Sequence, residues 1–530
     1  MTTRPDVDNA PGLKAHQNLI AQALRDVLSE GAVKTASTAH SSPVTSPLPV
    51  VSGAEASVYE PVWSRTPVSA PADNGLNNFS EETVSPFFTG HFSVPGSLLK
   101  NEPLPENLPY FLRGQQVQAA VRETTLTPYD IGHIRNDFPV LHQSVNGHKL
   151  VWLDNAATTQ KPRTVIDATS HFYEHDNSNI HRAAHTLAAR STDAFEGARE
   201  KLQRFIGARE AAEIVFVRGT TEAINLVAQS YGHANIGAGD EILITTIEHH
   251  ANIVPWQLLA KQTGAVLRVA PVNDRGELLM DQFASLLSGR TKIVAVTHVA
   301  NALGTINPVE QIVALSHAYG VPVLVDAAQS SPHLPLNVAA LDADFLVLSG
   351  HKIYGPTGIG ILYGKRSLLE AMPPWQGGGH MIRDVTFGHT EFQGLPEKFE
   401  AGTPDIAGAV GLGVAVDYLE RIGLPVIAAH EHALLEYATA EFARLPGVRI
   451  IGTAAAKASV LSFVVKGYDV TDVAKYLDQH GIAARSGHHC AQPALRRFGV
   501  EATVRASFGL YNSFEDVDAL VSTLRKLVRQ

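Results

Sequence analysis

Between residues 213 and 365 the sequence repeats one pattern, in which a short apolar run rich in β-branched residues is followed by a turn or a helix-length segment. The runs are EIVFVRG (213–219), EILITTIEHH (241–250), AVLRVAPV (265–272), KIVAVTHVAN (292–301), VPVLVDAAQ (321–329), DFLVLSGHK (344–352) and GIGILYGK (358–365). Near-continuous apolar strands that alternate with helices are typical of a mostly parallel sheet covered on both faces. The last two runs are close enough to be neighbours through a turn. The pattern predicts an α/β fold.

A smaller region follows residue 402. A helical stretch leads to the runs RIIGTA, VLSFVV, ARSGHHC and TVRASFGLYN, which predict an α+β unit that carries Cys490, the only cysteine of the 530 residues. We therefore expect residues 126–402 to form a large domain, with its N-terminal segment contributing to the small domain. Residues 403–530 are expected to form that small C-terminal domain.

The first 125 residues differ in composition from the rest. Segments such as SSPVTSPLPVVSG are rich in Pro, Ser and Ala, and proline at this density blocks both helices and central strands. The composition predicts a largely disordered extension. Residues 13–28 nevertheless have one apolar helical face, and aromatic residues recur further on. A set of docking motifs and a linker that binds nothing are both open interpretations.

Bulk properties exclude several classes of protein. The net charge of −10 argues against nucleic acid or an anionic membrane as a main partner. A single cysteine excludes an intramolecular disulfide. The N-terminus lacks the pattern of a signal peptide, and no run is long and apolar enough to span a bilayer. The cytoplasm is the expected location.

Polar residues cluster where the predicted strands end, which is where open α/β sheets bind ligands. Five of the predicted strand ends carry, in chain order, Thr220 and Thr221, then His249, then Asn301, then Asp326 with Gln329, and finally Ser349, His351 and Lys352. Each residue alone has a simpler explanation as a cap, a turn former or a solvated charge. Together they predict a site for pyridoxal 5′-phosphate, which needs a lysine for its Schiff base, an acid for its ring nitrogen and a phosphate cup.

Several motifs, in order, resemble those of one enzyme family. They are LDNAATTQKP (153–162), NSNIHRAAHTLA (177–188), TTIEHHANIVPWQ (245–257), ANALGTINP (300–308), VDAAQSSPH (325–333), SGHKIYGPTGIGILYG (349–364), FEAGTPD (399–405), RSGHHCAQP (485–493) and VRASFGLYN (504–512). The region 129–530 resembles the SufS-like second group of cysteine desulfurases, which are class V, fold-type I pyridoxal-phosphate enzymes.

The resemblance implies a role for each residue. Lys352 would hold the cofactor, Asp326 would pair with its ring nitrogen, Gln329 would bond its phenolic oxygen and His249 would stack on the ring. The phosphate would be bound by Thr221, next to Thr220, together with Ser349, His351 and, from a second subunit of a homodimer, Gly402 and Thr403. Arg505 and Asn301 would hold the substrate carboxylate, with Arg485 beside the cysteine loop.

The implied reaction converts L-cysteine to L-alanine and leaves the sulfur on Cys490 as a persulfide. A nearby cation, either Arg485 or a protonated histidine, would favour the reactive thiolate, and the sequence does not decide between His488 and His489. Because the chain has no second thiol, the sulfur would pass to an acceptor protein or a small thiol, for iron-sulfur cluster assembly or sulfur storage. The long extension resembles that of desulfurases packaged in encapsulin-type shells.

Alternative functions remain open. A selenocysteine lyase would use the same residues. A transaminase would need no thiol at position 490. A protein of another class, a shell-packaged cargo whose tail matters more than its catalysis, is also considered. No metal is expected, because the adjacent His488, His489 and Cys490 cannot easily turn to one ion. The glycines at 355, 358 and 360 follow Lys352 and precede a strand, which is the wrong order for a dinucleotide fingerprint.

Overall fold

A computed structural model describes residues 129–180 and 184–529, and its centre is a seven-stranded sheet. In spatial order the strands are Ile214–Val217, Gly360–Gly364, Phe345–Ser349, Val323–Asp326, Thr291–Thr297, Glu241–Thr245 and Val266–Ala270. Strand Gly360–Gly364 runs antiparallel to the strands on both of its sides, and the other pairs in this sheet are parallel. The prediction of a mostly parallel sheet is confirmed, and the last two predicted runs are indeed neighbours.

The sequence of the central strands explains why they lie inside. Strands such as Phe345–Ser349 and Glu241–Thr245 are buried along their whole length, as expected for strands covered by helices on both faces. The helices lie at Ile131–Asn136, Arg163–His171, Thr186–Phe205, Thr220–Val227, His233–Asn235, Val254–Thr263, Met280–Leu286, Val309–Ala318, Val338–Leu341, Arg366–Ala371, Ile406–Ile422, Leu424–Ala443, Val470–Gln479, Gln492–Arg497 and Phe514–Leu527.

A four-stranded antiparallel sheet forms the C-terminal part. Its order is Val448–Ile451, Val460–Val465, Thr503–Ser507 and Arg485–Gly487. A separate apolar core joins this sheet to three of the helices, Leu424–Ala443, Val470–Gln479 and Phe514–Leu527. The preceding helix Ile406–Ile422 packs in the core of the large sheet instead.

The first described residues join the two parts of the chain. Strand Val151–Trp152 pairs in parallel with Ile482–Ala483, and Asp154 forms a β-bridge with Ser507. This pairing places Asp154 beside the strand that carries Arg505. The remaining short strands are Ser144–Val145, His148–Lys149, Ile382–Val385 and Thr390–Phe392.

Some of the sequence predictions concern residues outside the described ranges. Those for residues 1–125, including the helical face at 13–28, and residues 181–183 of the motif at 177–188 lie outside the described residues. None of the helices in the described ranges combines the length and the apolar character that a bilayer crossing requires.

Candidate active site

A cavity of about 190 Å³ opens at the carboxyl ends of the parallel strands. All the residues predicted from the strand ends and the cysteine loop border it, namely Thr220, Thr221, His249, Asn301, Asp326, Gln329, Ser349, His351, Lys352, Arg485, Cys490 and Arg505. Gly402 and Thr403, which the sequence assigns to a second subunit, do not border it. The fold thus gathers residues more than 280 positions apart in the chain around one cavity.

One corner of the cavity is formed by the start of helix Thr220–Val227. The Ser349 hydroxyl accepts a hydrogen bond from the Thr220 N–H and donates one to the Thr220 hydroxyl, both at 2.9 Å. Because Ser349 is committed to Thr220, the exposed Thr221 hydroxyl and the helix start are the groups that face a ligand here. Helix N-termini favour anions, so this corner suits a phosphate.

The close approach of strands at this corner explains one glycine. A Cβ atom at Gly360 would lie 2.4 Å from the Leu348 oxygen and 2.7 Å from the Gly219 Cα. Any side chain there would push apart the strand end and the helix start. Gly360 is therefore required by packing, and it is not part of a nucleotide-binding loop.

Lys352 and Asp326 lie at neighbouring strand ends. Asp326 is the last residue of its strand, and its Oδ1 accepts the Ala328 N–H at 2.9 Å. Burial raises the pKa of Asp326, against the Ala328 hydrogen bond and the charge of Lys352. Burial lowers the pKa of Lys352 to about 8, while the charges of Asp326 and Cys490 oppose that change. Lys352 can therefore exchange a proton near neutral pH.

His249 follows strand Glu241–Thr245, which lies two strands away from the strand of Asp326 in the sheet. Its Nδ1 accepts the Ala251 N–H at 3.0 Å. Burial, followed by the positive charge of Lys352, lowers the pKa of His249 to about 3. The imidazole is therefore neutral at physiological pH and offers a flat ring to the cavity. A neutral ring suits stacking against an aromatic cofactor.

Four buried polar atoms at the cavity wall have no partner among the described residues, and they test whether pyridoxal phosphate fits. They are Gln329 Oε1, Asn301 Oδ1, His489 Nδ1 and Arg505 Nε. Buried polar groups are normally hydrogen-bonded, so unpaired ones around a cavity indicate a polar ligand. Gln329 is held by its other amide atom, which donates to the Ala156 oxygen at 2.6 Å. Its free oxygen suits a ring hydroxyl.

The two arginines share one carboxylate that the sequence reasoning missed. Arg505 Nη2 lies 3.2 Å from Asp154 Oδ1, and Arg485 Nε lies 3.0 Å from Asp154 Oδ2. Arg505 is 2% exposed, and its Nη1 also donates to the main-chain oxygen of Asn301 at 3.1 Å. Asp154 therefore orients both guanidinium groups. Its position directly after an apolar run, in LDNAATTQKP, was the available signal.

Asn301 holds the cysteine loop. Its amide nitrogen donates to the His489 main-chain oxygen at 2.6 Å. Its Oδ1 is unpaired, and the amide nitrogen has a second hydrogen that a ligand can accept. The contact of Asn301 with the substrate carboxylate stays a prediction, and its observed contact positions the loop.

The loop itself turns at two residues with left-handed backbone, His489 (φ 52°) and Cys490 (φ 54°). The His489 ring is buried and its Nε2 lies 2.9 Å from the Thr503 hydroxyl. His488 and Cys490 are exposed, and the Cys490 N–H donates to His488 Nδ1 at 3.1 Å. His488 also has a ring nitrogen within 4.8 Å of the Cys490 Sγ, and we propose it as the histidine that acts on the thiol.

Glu248 is a second residue that the sequence reasoning missed. It directly precedes His249 in the chain and is fully buried. Its carboxylate accepts hydrogen bonds from the Thr245 hydroxyl (2.6 Å), the Asn252 amide (2.7 Å) and the Thr297 N–H (2.9 Å). Burial raises its pKa to about 8. These bonds fix the segment that carries His249. The available signal was an acidic residue directly before the pair His249-His250.

Comparisons with known proteins show which family the chain resembles. The aminotransferase class-V family model matches residues 151–520. A probable cysteine desulfurase 1 of Mycobacterium leprae is 55% identical over 480 residues, 90% of this chain and 76% of that protein. A cysteine desulfurase of Synechococcus elongatus is 59% identical over 399 residues, 75% of this chain and 64% of that protein. The crystal structure of the cysteine desulfurase CsdA from Escherichia coli superposes with a TM-score of 0.71 at 40% identity, covering 76% of this chain and 99% of that one.

Proposed function

The chain belongs to the aminotransferase class-V family and, within it, to the cysteine desulfurases, and on that premise we propose how its own residues divide the reaction between them. The enzyme depends on pyridoxal phosphate and converts L-cysteine to L-alanine. When bound, the cofactor supplies an electron-accepting ring that makes the Cα proton of the substrate removable. The observation that carries the proposal is that Lys352 and Cys490 border the same cavity from opposite parts of the fold.

Lys352 holds the cofactor and then moves the substrate proton. Burial lowers its pKa to about 8, and the neighbouring charges of Asp326 and Cys490 partly restore it. A group whose pKa lies near the working pH is the most efficient proton carrier. Asp326 would pair with the ring nitrogen of the cofactor, and Thr221 at the helix start would hold its phosphate.

Arg505 orients the substrate by its carboxylate. Its guanidinium is buried and is held by Asp154 and by the main-chain oxygen of Asn301. Its Nε is unpaired at the cavity wall. A planar guanidinium binds a carboxylate in a two-pronged geometry. Arg485, half-exposed on the other oxygen of Asp154, adds positive charge on the side of the cysteine loop.

Cys490 takes the sulfur. Its thiolate attacks the substrate sulfur, a new S–S bond forms and the substrate C–S bond breaks. The electron pair of that bond stays with the substrate carbon, which takes up a proton and becomes the methyl group of alanine. The persulfide formed on exposed Cys490 is accessible from outside, and the chain contains no second thiol. We therefore assign the next transfer to a separate acceptor protein or a small thiol.

The substitution Cys490→Ser tests this assignment. Alanine release should disappear, while the visible absorbance of the cofactor stays, because Cys490 lies outside the strand ends that hold it. Ser486→Ala, in the strand that leads into the same loop, is the matched control and should retain turnover. Full activity of Cys490→Ser would disprove the role of the thiol.

A homodimer would complete the phosphate site. Exposed Thr403 and Gly402 (φ 85°) do not border the cavity of their own chain, which supports their assignment to the site of a second copy. Sedimentation of the cofactor-loaded protein should give twice the chain mass. A monomer with full activity would contradict the shared site.

The N-terminal extension is proposed as a docking segment for a protein shell. The similarity to the Mycobacterium leprae protein spans 480 residues, more than the 402 of region 129–530, so it reaches into the extension. A linker without a binding role is not expected to keep such similarity. Deleting residues 1–125 should leave turnover intact and abolish co-purification with a large particle, and unchanged association would exclude docking.

A further inference from the structure

Three side chains with metal-binding atoms converge beside the cavity, which one of them, Cys490, borders. The ligand atoms of His250, His488 and Cys490 all lie within 4.8 Å of one another. His250 is half-buried and the other two are exposed. We propose that these residues form a zinc site, in which the thiolate and two imidazoles bind the ion and leave the fourth position open.

The site is built from two parts of the chain that are distant in sequence. His250 begins the short helical turn His250–Asn252 after strand Glu241–Thr245, and its N–H donates to the Cys490 oxygen at 2.7 Å. The rings of His250 and His488 stack, with centroids 5.7 Å apart and planes 28° from parallel. These contacts hold the three residues together without any ion. The three ligands are therefore not the adjacent residues His488, His489 and Cys490, because His250 takes the place of His489.

Both imidazoles turn a lone pair towards the cysteine loop. Nδ1 of His488 accepts the Cys490 N–H at 3.1 Å, and Nε2 of His250 accepts the Gln492 N–H at 3.3 Å. A ring nitrogen that accepts an N–H carries no proton of its own. Unprotonated nitrogen is the form in which histidine binds metals, so the ion would take over from each main-chain N–H a lone pair that already lies at the loop.

The donor set and its spacing suit zinc. Thiolate and imidazole ligands favour Zn²⁺ over the hard cations Mg²⁺ and Ca²⁺. With Zn–S of about 2.3 Å and Zn–N of about 2.0–2.1 Å, a tetrahedral site places ligand atoms about 3.3–3.6 Å apart. The atoms therefore have to close by at most about 1.5 Å, which rotation of the exposed His488 and Cys490 side chains supplies. His489 is excluded, because its ring is buried against Thr503.

Zinc bound here would occupy the lone pair with which Cys490 attacks sulfur. The ion reaches the site from solvent, since two of its three ligands are exposed, and leaves the strand-end cavity free. The site would thus reversibly block sulfur transfer without displacing the cofactor. This consequence depends on the proposed role of Cys490, whereas the binding itself does not.

The test uses the full chain with its cofactor bound. Zn²⁺ is titrated in competition with a chromophoric chelator, and Co²⁺ is used as a spectroscopic substitute whose tetrahedral d–d bands lie in the red. We expect one ion per chain, a tetrahedral cobalt spectrum, and binding that is at least about tenfold weaker in His250→Ala and in His488→Ala. Cys490→Ser should abolish the tetrahedral spectrum. His233→Ala, an exposed histidine outside the cluster, is the matched control and should bind like the parent chain.

Two results would overturn the site. One is zinc affinity in His250→Ala equal to that of the parent chain, and the other is a cobalt spectrum of six-coordinate type. Neither result depends on turnover. If Cys490→Ser kept desulfurase activity but lost zinc binding, the proposed catalytic role would fail and the zinc site would stand.

Discussion

The two walls of the active site are built in opposite ways. Lys352 and Asp326 lie at the ends of strands whose residues are buried throughout. Cys490 lies in an exposed loop and has a left-handed backbone, like His489 before it. A non-glycine residue in this conformation costs about 1–3 kcal/mol and persists only where the surroundings hold it.

The difference matches what each wall has to do. The groups around the cofactor must keep one position relative to its ring, and strand ends in a packed core provide that. The thiol must approach the substrate sulfur and then present the sulfur to an acceptor, and only an exposed residue can do both. The loop is held at a few points, namely the Asn301 bond to the His489 oxygen and the His250 bond to the Cys490 oxygen.

The largest expected effect comes from the buried wall. Lys352→Ala removes both the attachment of the cofactor and the proton carrier, so alanine formation should fall by at least about 10³-fold. Unlike Cys490→Ser, it should also change the visible spectrum of the bound cofactor. Lys261→Ala, an exposed lysine that does not border the cavity, serves as the control. An unchanged spectrum would remove Lys352 from the cofactor wall.

A smaller effect is expected where the two walls meet. Asn301→Ala removes the 2.6 Å bond that holds the His489 oxygen, at a cost of about 1–2 kcal/mol. Persulfide formation in a single turnover should slow about tenfold, while the absorbance change on adding cysteine keeps its rate. Asn235→Ala, an exposed control, should change neither. Equal slowing of both steps would mean that Asn301 acts on the substrate and not on the loop.

The smallest expected effect is a shift in pH dependence. Burial lowers the pKa of Lys352 to about 8, so the amine is neutral, and able to attack an aldehyde, above that pH. Reconstitution of the apo-enzyme with pyridoxal phosphate should therefore speed up with rising pH and level off near pH 8. With a lysine of ordinary pKa, about 10.4, the reconstitution rate would continue to rise up to about that pH.

The matched variant for this measurement is Asp326→Asn. The Asp326 carboxylate raises the pKa of Lys352 against the effect of burial, so its removal should move the plateau to lower pH. A plateau that stays in place would show that the two side chains do not interact.

The buried wall could be predicted from sequence to a large extent. Each strand is a continuous apolar run, and the ligand edge follows from the rule that parallel strands end together. Lys352, Asp326 and His249 were therefore found by position. Gly360 was not understood, because its role depends on a carbonyl from the adjacent strand, 12 residues back in the chain.

The exposed wall could be predicted only in part. The sequence identifies Cys490 as its only cysteine. It does not distinguish which histidine lies beside the thiol, because that depends on the left-handed backbone at His489 and Cys490. Asp154 and His250 both lie more than 200 residues from Cys490 in the chain. Strand pairing brings Asp154 to the loop, and the end of strand Glu241–Thr245 brings His250 there. Such long-range contacts leave no local pattern in a sequence.

The central claim is that Cys490 itself receives the sulfur. The most direct measurement is the intact mass of the cofactor-loaded chain after one equivalent of L-cysteine and no acceptor. We expect the chain to gain the mass of one sulfur atom, located in the peptide that contains Cys490, as one alanine is released. Release of alanine with the chain mass unchanged and free sulfide in solution would contradict it.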